Sequence, residues 1–254
     1  MTAARPMARS NLATPALILD RAALDRKIEA MAAFARTYGI ALRPHAKTHK
    51  CAKIAQRQLA AGAIGIACAK LGEAEALAAE GIGNLLITSA VVSEQAVARL
   101  TELNKRIAGL TVVIDHPDNV ERLAATVATK SLRVLIDIDP GFHRTGVTSA
   151  AAAVELAMRV SDLRQLEYAG VQFYCGADQH VPSLADSREQ IATKTTCVVL
   201  VGQAGAGANQ NNAAISTLPQ RSPLNQGCAS PQASDWVWPL EREKLAQSDY
   251  SEEY

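Results

Sequence analysis

The sequence predicts an α/β protein in which parallel strands are covered by helices, in the manner of a (β/α)8 barrel. Short apolar runs recur along the chain and alternate with helical stretches rich in Ala, Leu and Glu. Continuous apolar runs are typical of parallel strands buried on both faces, and the helices between them supply the crossover connections. An open doubly wound sheet shares this pattern, so both architectures remain open at this point.

The first predicted unit is a strand over residues 16–20, opened by Pro15, followed by a helix. Asp20 is a suitable N-cap, and apolar residues follow it at helical spacing up to Tyr38. Further strands are predicted in apolar runs at residues 40–42, 63–67, 84–87, 110–114, 132–137 and 168–173.

Polar residues directly after several of these strands favour the barrel, because barrel active sites lie at the carboxyl ends of the strands. The residues in this position are Lys47, Thr88, His143, Arg144 and Tyr174.

The composition limits the class of function. The chain has 254 residues, 48% apolar content and a net charge of +1, which supports a buried core and gives no basic stripe for nucleic acid. No apolar run predicts a membrane span, and no leader with an apolar segment is visible. The five cysteines form no Cys-x-x-Cys pair and are predicted to be reduced thiols. We therefore expect a cytoplasmic protein that binds a small metabolite.

Lys47 is the strongest candidate for chemistry. It follows a predicted strand, where partial desolvation would favour the neutral, nucleophilic amine that forms a Schiff base. Arg43, His45, His49 and Lys50 add positive charge that favours the same form and attracts a phosphate. A solvated basic turn explains the pattern equally well from the residues alone.

Four segments of the chain resemble the D-threonine aldolase and D-serine dehydratase family, whose fold type III barrel is related to that of alanine racemase. They are TPAL at 14–17, RPHAKTHK at 43–50, GIACAKLGEAE at 65–75 and DIDPGFHRTGV at 137–147. The resemblance covers roughly residues 12–190. It implies a barrel of the alanine racemase N-terminal type, pyridoxal 5'-phosphate as cofactor, and a lyase acting on a small D-3-hydroxyamino acid. It also implies a homodimer.

The resemblance assigns roles to individual residues. Lys47 would carry the cofactor as a Schiff base, and Arg144 would face the pyridine nitrogen. Tyr174 and Gln172 match the segment of the seventh strand that lies near the cofactor, and His45 would flank it.

Each assignment has a simpler alternative. Arg144 could instead pair with Asp137 or Asp139, Tyr174 could fill the barrel, and His45 could be hydrogen-bonded within its loop.

The chain departs from the family after about residue 195. Residues 197–201 are predicted as the eighth strand, which gives a barrel over residues 1–201 and an irregular tail over 202–254. The family's glycine-rich phosphate turn is absent, and Gly202, Gly205 and Gly207 are weak replacements for it.

The C-terminal β-domain of the family is also missing, and with it the divalent metal site. No histidine follows His180, so no metal ligands are predicted in this chain. The tail resembles a truncated or altered continuation. Besides a lyase, we therefore consider a pyridoxal phosphate-binding protein without turnover and an inactive product.

Overall fold

A computed structural model describes residues 8–176 of the chain. These residues form a five-stranded parallel sheet with the strand order β1-β2-β3-β4-β5. The strands are β1 (Ile66–Cys68), β2 (Leu85–Ile87), β3 (Thr111–Ile114), β4 (Leu132–Ile138) and β5 (Leu166–Phe173). Each strand pairs with the next along the chain, and the order does not reverse as it does in a doubly wound sheet. The α/β prediction is confirmed, and the architecture within residues 8–176 is that of a partial (β/α) barrel.

Helices connect the strands and cover one face of the sheet. After a short 3-10 turn at Arg9–Asn11 they are α1 (Arg21–Thr37), α2 (Ala52–Ala60), α3 (Leu71–Ala79), α4 (Glu94–Arg106), α5 (Pro117–Thr126) and α6 (Ala150–Ser161). The predicted N-cap of α1 is confirmed, because the Asp20 carboxylate accepts a 2.9 Å hydrogen bond from the Ala23 N–H group. Ser93 and Ser149 cap α4 and α6 in the same way. None of the helices in residues 8–176 has the length and apolar character to cross a bilayer.

The core lies between the sheet and the helices. In β4, the alternate residues Leu132, Val134 and Ile136 are fully buried against the helical layer. Their neighbours Arg133 and Leu135 are only partly covered, because they face the concave side of the sheet.

Five of the predicted strands are confirmed, with bounds that shift by up to three residues. The strand predicted at residues 16–20 is wrong: this segment has no regular secondary structure and no strand partner within residues 8–176, and Leu17 is exposed. The strand predicted at 40–42 is also wrong. Residues 40–42 form no strand; Leu42 O accepts a hydrogen bond from the Ile64 N–H group, and the one bridge to β1 in this stretch, between His45 and Ala67, lies beyond the predicted segment. Pro44 has no N–H group to donate, which prevents a regular ladder there.

A β-bulge between β4 and β5 determines which side chains face each other at the site. Val134 pairs with Tyr168, but Ile136 pairs with Val171, so β5 contains one extra residue. Gly170 in this stretch has φ 117, a backbone conformation that favours glycine. Beyond the bulge, Asp137 pairs with Gln172. The predicted eighth strand at 197–201 and the tail at 202–254 lie outside the described residues.

Candidate functional site

The loops that follow the carboxyl ends of the strands meet at one end of the sheet and bring most of the predicted residues together. Lys47 lies in the loop before α2, Arg144 in the loop after β4, and Tyr174 directly after β5.

The Lys47 loop is held by its own side chains. His45 Nδ1 accepts a 3.2 Å hydrogen bond from the Lys47 N–H group, and Ala46 O accepts one of 2.8 Å from the Lys50 N–H group. His49 Nδ1 accepts in the same way from the Cys51 N–H group at 3.1 Å. The Lys47 side chain is exposed, so the expected desolvation is wrong. The physical reason is that the preceding segment is not a buried strand of the sheet.

Two lysines of this loop have different surroundings. Lys50 Nζ forms a 2.7 Å ion pair with Glu73 Oε1, and Glu73 Oε2 accepts a hydrogen bond from the Ala69 N–H group. Lys47 has no ion-pair partner within residues 8–176 and instead lies with Nζ 5.6 Å from the centroid of the Tyr174 ring. The Lys47 amine is therefore the one that remains available.

Arg144 approaches the same aromatic ring. Its Cζ atom lies 5.0 Å from the centroid of Tyr174 and 6.0 Å from that of Phe142. The two rings are 6.4 Å apart and tilted by 53°. Two cationic groups, Lys47 and Arg144, thus converge on Tyr174, and cation–π attraction holds each of them near the ring.

The loop that carries Arg144 is folded tightly against the end of β4. Asp139 Oδ1 accepts hydrogen bonds from the N–H groups of Gly141, Phe142 and His143. Burial by itself would raise the pKa of Asp139, but the three hydrogen bonds and the charge of His143 together lower it below its ordinary value. Gly146 has φ 101, and a Cβ atom there would lie 2.5 Å from Asp139 N. The loop geometry that presents Arg144 therefore depends on glycine at position 146.

Arg144 forms no ion pair with Asp137 or Asp139 in the described residues, although its charge acts on Asp137 and opposes the rise in pKa that burial causes. Asp139 is paired with His143, whose Nδ1 lies 3.2 Å from Oδ2. Asp137 Oδ1 accepts a 2.9 Å hydrogen bond from Gln172 Nε2. No ion pair of Arg144 with a carboxylate is present in residues 8–176.

A chain of hydrogen bonds links β5 to the Lys47 loop. Gln172 Nε2 also donates to the backbone oxygen of Thr88 at 3.3 Å, and Thr88 Oγ1 lies 3.3 Å from His45 Nε2. Because His45 Nδ1 accepts from the Lys47 N–H group, the imidazole proton belongs on Nε2, where it is donated to Thr88. Thr88 Oγ1 in turn donates to Cys68 O at 3.1 Å.

Two titratable groups of this chain have pKa values that are shifted in the direction of the neutral form. Burial lowers the pKa of His45, and the positive charge of Lys47 lowers it further. Burial also raises the pKa of Asp137, which is 4% exposed, and the hydrogen bond from Gln172 only partly offsets this.

Sequence analysis named Thr88 only as a polar residue after a strand. It gave no role in the site to Asp137, beyond a possible partner for Arg144, or to Phe142, although both lie in the motif at 137–147. One signal was available for Asp137, since it interrupts the apolar run of β4. An ionisable residue inside such a run is rare unless it has a partner.

The sequence matches the family described as alanine racemase, N-terminal domain, over residues 19–218. The chain belongs to this family. Within it, the chain is 40% identical over 177 residues to a D-threonine aldolase from Arthrobacter sp, covering 69% of this chain and 46% of that protein. It is 36% identical over 188 residues to a 3-hydroxy-D-aspartate aldolase from Paracoccus denitrificans (strain Pd 1222), covering 73% and 49%.

A solved structure supports the same relationship. The crystal structure of D-threonine aldolase from Filomicrobium marinum matches with a TM-score of 0.74 and 35% identity, over 78% of this chain and 54% of that one. The chain spans about half the length of the curated relatives that it matches.

Membership of the alanine racemase family implies pyridoxal phosphate as the cofactor. The described residues are suited to binding it. The Lys47 amine could bond to the aldehyde carbon, and the Arg144 guanidinium and Tyr174 ring could contact the planar ring. The observation behind this fit is that both cations face one aromatic ring with no carboxylate partner in residues 8–176. The glycines suggested for the phosphate, Gly202, Gly205 and Gly207, lie outside the described residues. Within the described residues, no group of three His, Cys, Asp or Glu side chains could hold a metal ion.

Proposed function

We propose that this protein is a pyridoxal phosphate-dependent lyase that acts on D-3-hydroxyamino acids, with Lys47 as the residue that holds the cofactor covalently. The observation that carries the proposal is the convergence of Lys47 Nζ and the Arg144 guanidinium on the Tyr174 ring, at 5.6 and 5.0 Å from its centroid. The two curated relatives described above are both aldolases, which favours aldol cleavage over dehydration.

When bound, pyridoxal phosphate supplies a conjugated ring that withdraws electrons from the α-carbon of the amino acid. Arg144 orients the ring. Because a guanidinium remains protonated, it can only donate a hydrogen bond and leaves the pyridine nitrogen without a proton of its own.

Tyr174 lies between the two cationic residues and offers a flat apolar surface with its ring. We assign it to contact with the cofactor. His45 acts through the backbone, because its Nδ1 accepts the Lys47 N–H group and its Nε2 bonds to Thr88. We propose that it holds the Lys47 loop rather than moving a proton at the reacting carbon.

The experiment that tests the function is amino-acid-dependent release of aldehyde by the full chain loaded with pyridoxal phosphate. D-Threonine should release acetaldehyde, and L-threonine should not. Lys47→Ala should abolish the release, whereas Lys50→Gln, a change three residues away that removes the Glu73 ion pair, should retain most of it. Binding of the cofactor without release of aldehyde or keto acid from any D-3-hydroxyamino acid would favour the alternative of a binding protein without turnover.

A further inference from the structure

Both side-chain N–H groups of Gln172 are used inside the protein. Nε2 donates to Asp137 Oδ1 at 2.9 Å and to Thr88 O at 3.3 Å. A backbone carbonyl can only accept, so Thr88 O fixes which end of the amide faces it. Oε1 is the polar atom that remains, and no group in residues 8–176 donates a hydrogen bond to it.

The β-bulge is what places an amide at this point. If the register of Val134 with Tyr168 continued without the extra residue, Val171 would lie opposite Asp137. The buried carboxylate would then face an apolar side chain and lose a hydrogen bond. With the bulge at Gly170, Gln172 takes the position instead. Bulges next to functional sites commonly redirect a side chain in this way.

A chain of hydrogen bonds links Gln172 to the Lys47 loop. Thr88, which accepts from the Gln172 amide through its carbonyl, bonds through its hydroxyl to His45, and His45 accepts from the Lys47 N–H group. Tyr174, two residues beyond Gln172, has its ring next to the Lys47 amine.

We propose that Gln172 Oε1 accepts a hydrogen bond from the amino acid substrate bound beside Lys47, from its hydroxyl or its amino group, and that Asp137 is the positioning residue that fixes the Gln172 amide. This inference rests on the proposed function. The phosphate, the phenolic oxygen and the unprotonated ring nitrogen of pyridoxal phosphate accept hydrogen bonds. The amide oxygen of Gln172 also accepts only, so it is matched to a donor group of the amino acid. The proposal differs from the sequence prediction, which assigned Gln172 to the cofactor.

Titration of the cofactor-loaded full chain tests the ligand. Wild type and Gln172→Met are titrated with D-threonine and with D-2-aminobutyrate, which lacks the hydroxyl, while the visible absorbance of the cofactor is followed. Loss of one hydrogen bond should weaken D-threonine binding about five- to tenfold. If the hydroxyl is the donor, D-2-aminobutyrate binding is unchanged; if the amino group is the donor, both weaken equally. Unchanged affinity for both ligands would overturn the proposal.

The positioning role has its own test. Asp137→Asn keeps an oxygen acceptor and should retain the wild-type affinity for D-threonine, whereas Asp137→Leu should resemble Gln172→Met. In protein without added cofactor, the Gln172 side-chain amide protons, assigned by their loss in Gln172→Met, should exchange slowly with water in wild type and Asp137→Asn and faster in Asp137→Leu. Rapid exchange in wild type would overturn the inference by itself. A wild-type protein that gives no cofactor absorbance band would instead contradict the proposed function, and the amide exchange is independent of that result.

Discussion

Gln172 lies directly opposite Asp137 in the ladder between β4 and β5, and its Nε2 atom donates a 2.9 Å hydrogen bond to the Asp137 carboxylate. This pair connects the strand that precedes the Arg144 loop to the strand that precedes Tyr174. The two loops whose side chains meet at the site are therefore joined at their bases by a buried polar contact. Its removal should affect both the stability of the fold and the shape of the site.

Asp137→Asn should increase stability more at neutral pH than in acid. The pKa of Asp137 in the folded protein is raised above its ordinary value of 3.8. The contribution of this carboxyl group to the free energy of unfolding is therefore fully present below pH 3.8, and it is lost as the pH rises through the folded pKa. An asparagine side chain does not titrate, so the variant lacks this pH dependence. The difference in the free energy of unfolding between Asp137→Asn and wild type, measured in urea at several pH values, should grow as the pH rises from 3.8. A difference that shrinks over that range would show that the charged carboxylate is favoured in the folded state.

His45 should contribute a pH dependence of the opposite sign. Its pKa is lowered from 6.5 in the folded protein, so the unfolded chain binds more protons below 6.5 and stability falls as the pH falls through that range. His45→Asn should flatten this dependence while keeping an acceptor for the Lys47 N–H group. His45→Leu removes the acceptor and should cost about 1 kcal/mol more than His45→Asn. Equal urea midpoints for the two variants would mean that the hydrogen bond from the Lys47 backbone carries no stability.

Two glycines of the Arg144 loop offer a matched comparison. Gly141 and Gly146 have φ values of 93 and 101, so alanine at either position should cost about 1–3 kcal/mol in backbone strain. A Cβ atom at Gly146 would also lie 2.5 Å from Asp139 N, whereas one at Gly141 would have no atom within 4 Å. Gly146→Ala should therefore lower the free energy of unfolding more than Gly141→Ala, and it should weaken cofactor binding as well. Equal losses in both variants would contradict the close packing described for this loop.

Arg144 should matter for cofactor affinity and for the reaction type. Arg144→Gln should weaken pyridoxal phosphate binding about tenfold or more, as expected for loss of a charge-assisted hydrogen bond. Arg144→Glu should allow the ring nitrogen to be protonated and should increase racemisation or transamination of D-amino acids relative to aldehyde release. Product analysis by chiral chromatography measures this ratio. An unchanged ratio in Arg144→Glu would place the guanidinium away from the ring nitrogen.

Much of the fold could be predicted because the five strands are largely apolar runs, interrupted by Arg133 and Asp137 in β4 and by Glu167 and Gln172 in β5. The segments at 16–20 and 40–42 have similar composition, but whether an extended segment joins a sheet depends on its partners and on details such as the missing N–H group of Pro44. The local sequence pattern contains no information about either of these. The expected cytoplasmic location and homodimer remain predictions.

The site was predicted in part. Lys47, Arg144 and Tyr174 were identified from the family motifs, and they do lie together. The partners of Gln172 could not be predicted, because the bulge at Gly170 changes the register by one residue and a strand pattern does not show such a shift. The exposure of Lys47 was missed for the same kind of reason, since it depends on the pairing of the preceding segment.

The most direct measurement of the central claim is the position of the cofactor on the chain. The full chain is incubated with pyridoxal phosphate, reduced with borohydride, digested, and mapped by mass spectrometry. The label should be found on the peptide that contains Lys47, and Lys47→Ala should remove it, whereas Lys50→Gln should leave it in place because Lys50 Nζ is paired with Glu73 at 2.7 Å. Labelling of Lys50 or Lys70 in the wild-type protein, with Lys47 unmodified, would contradict the account.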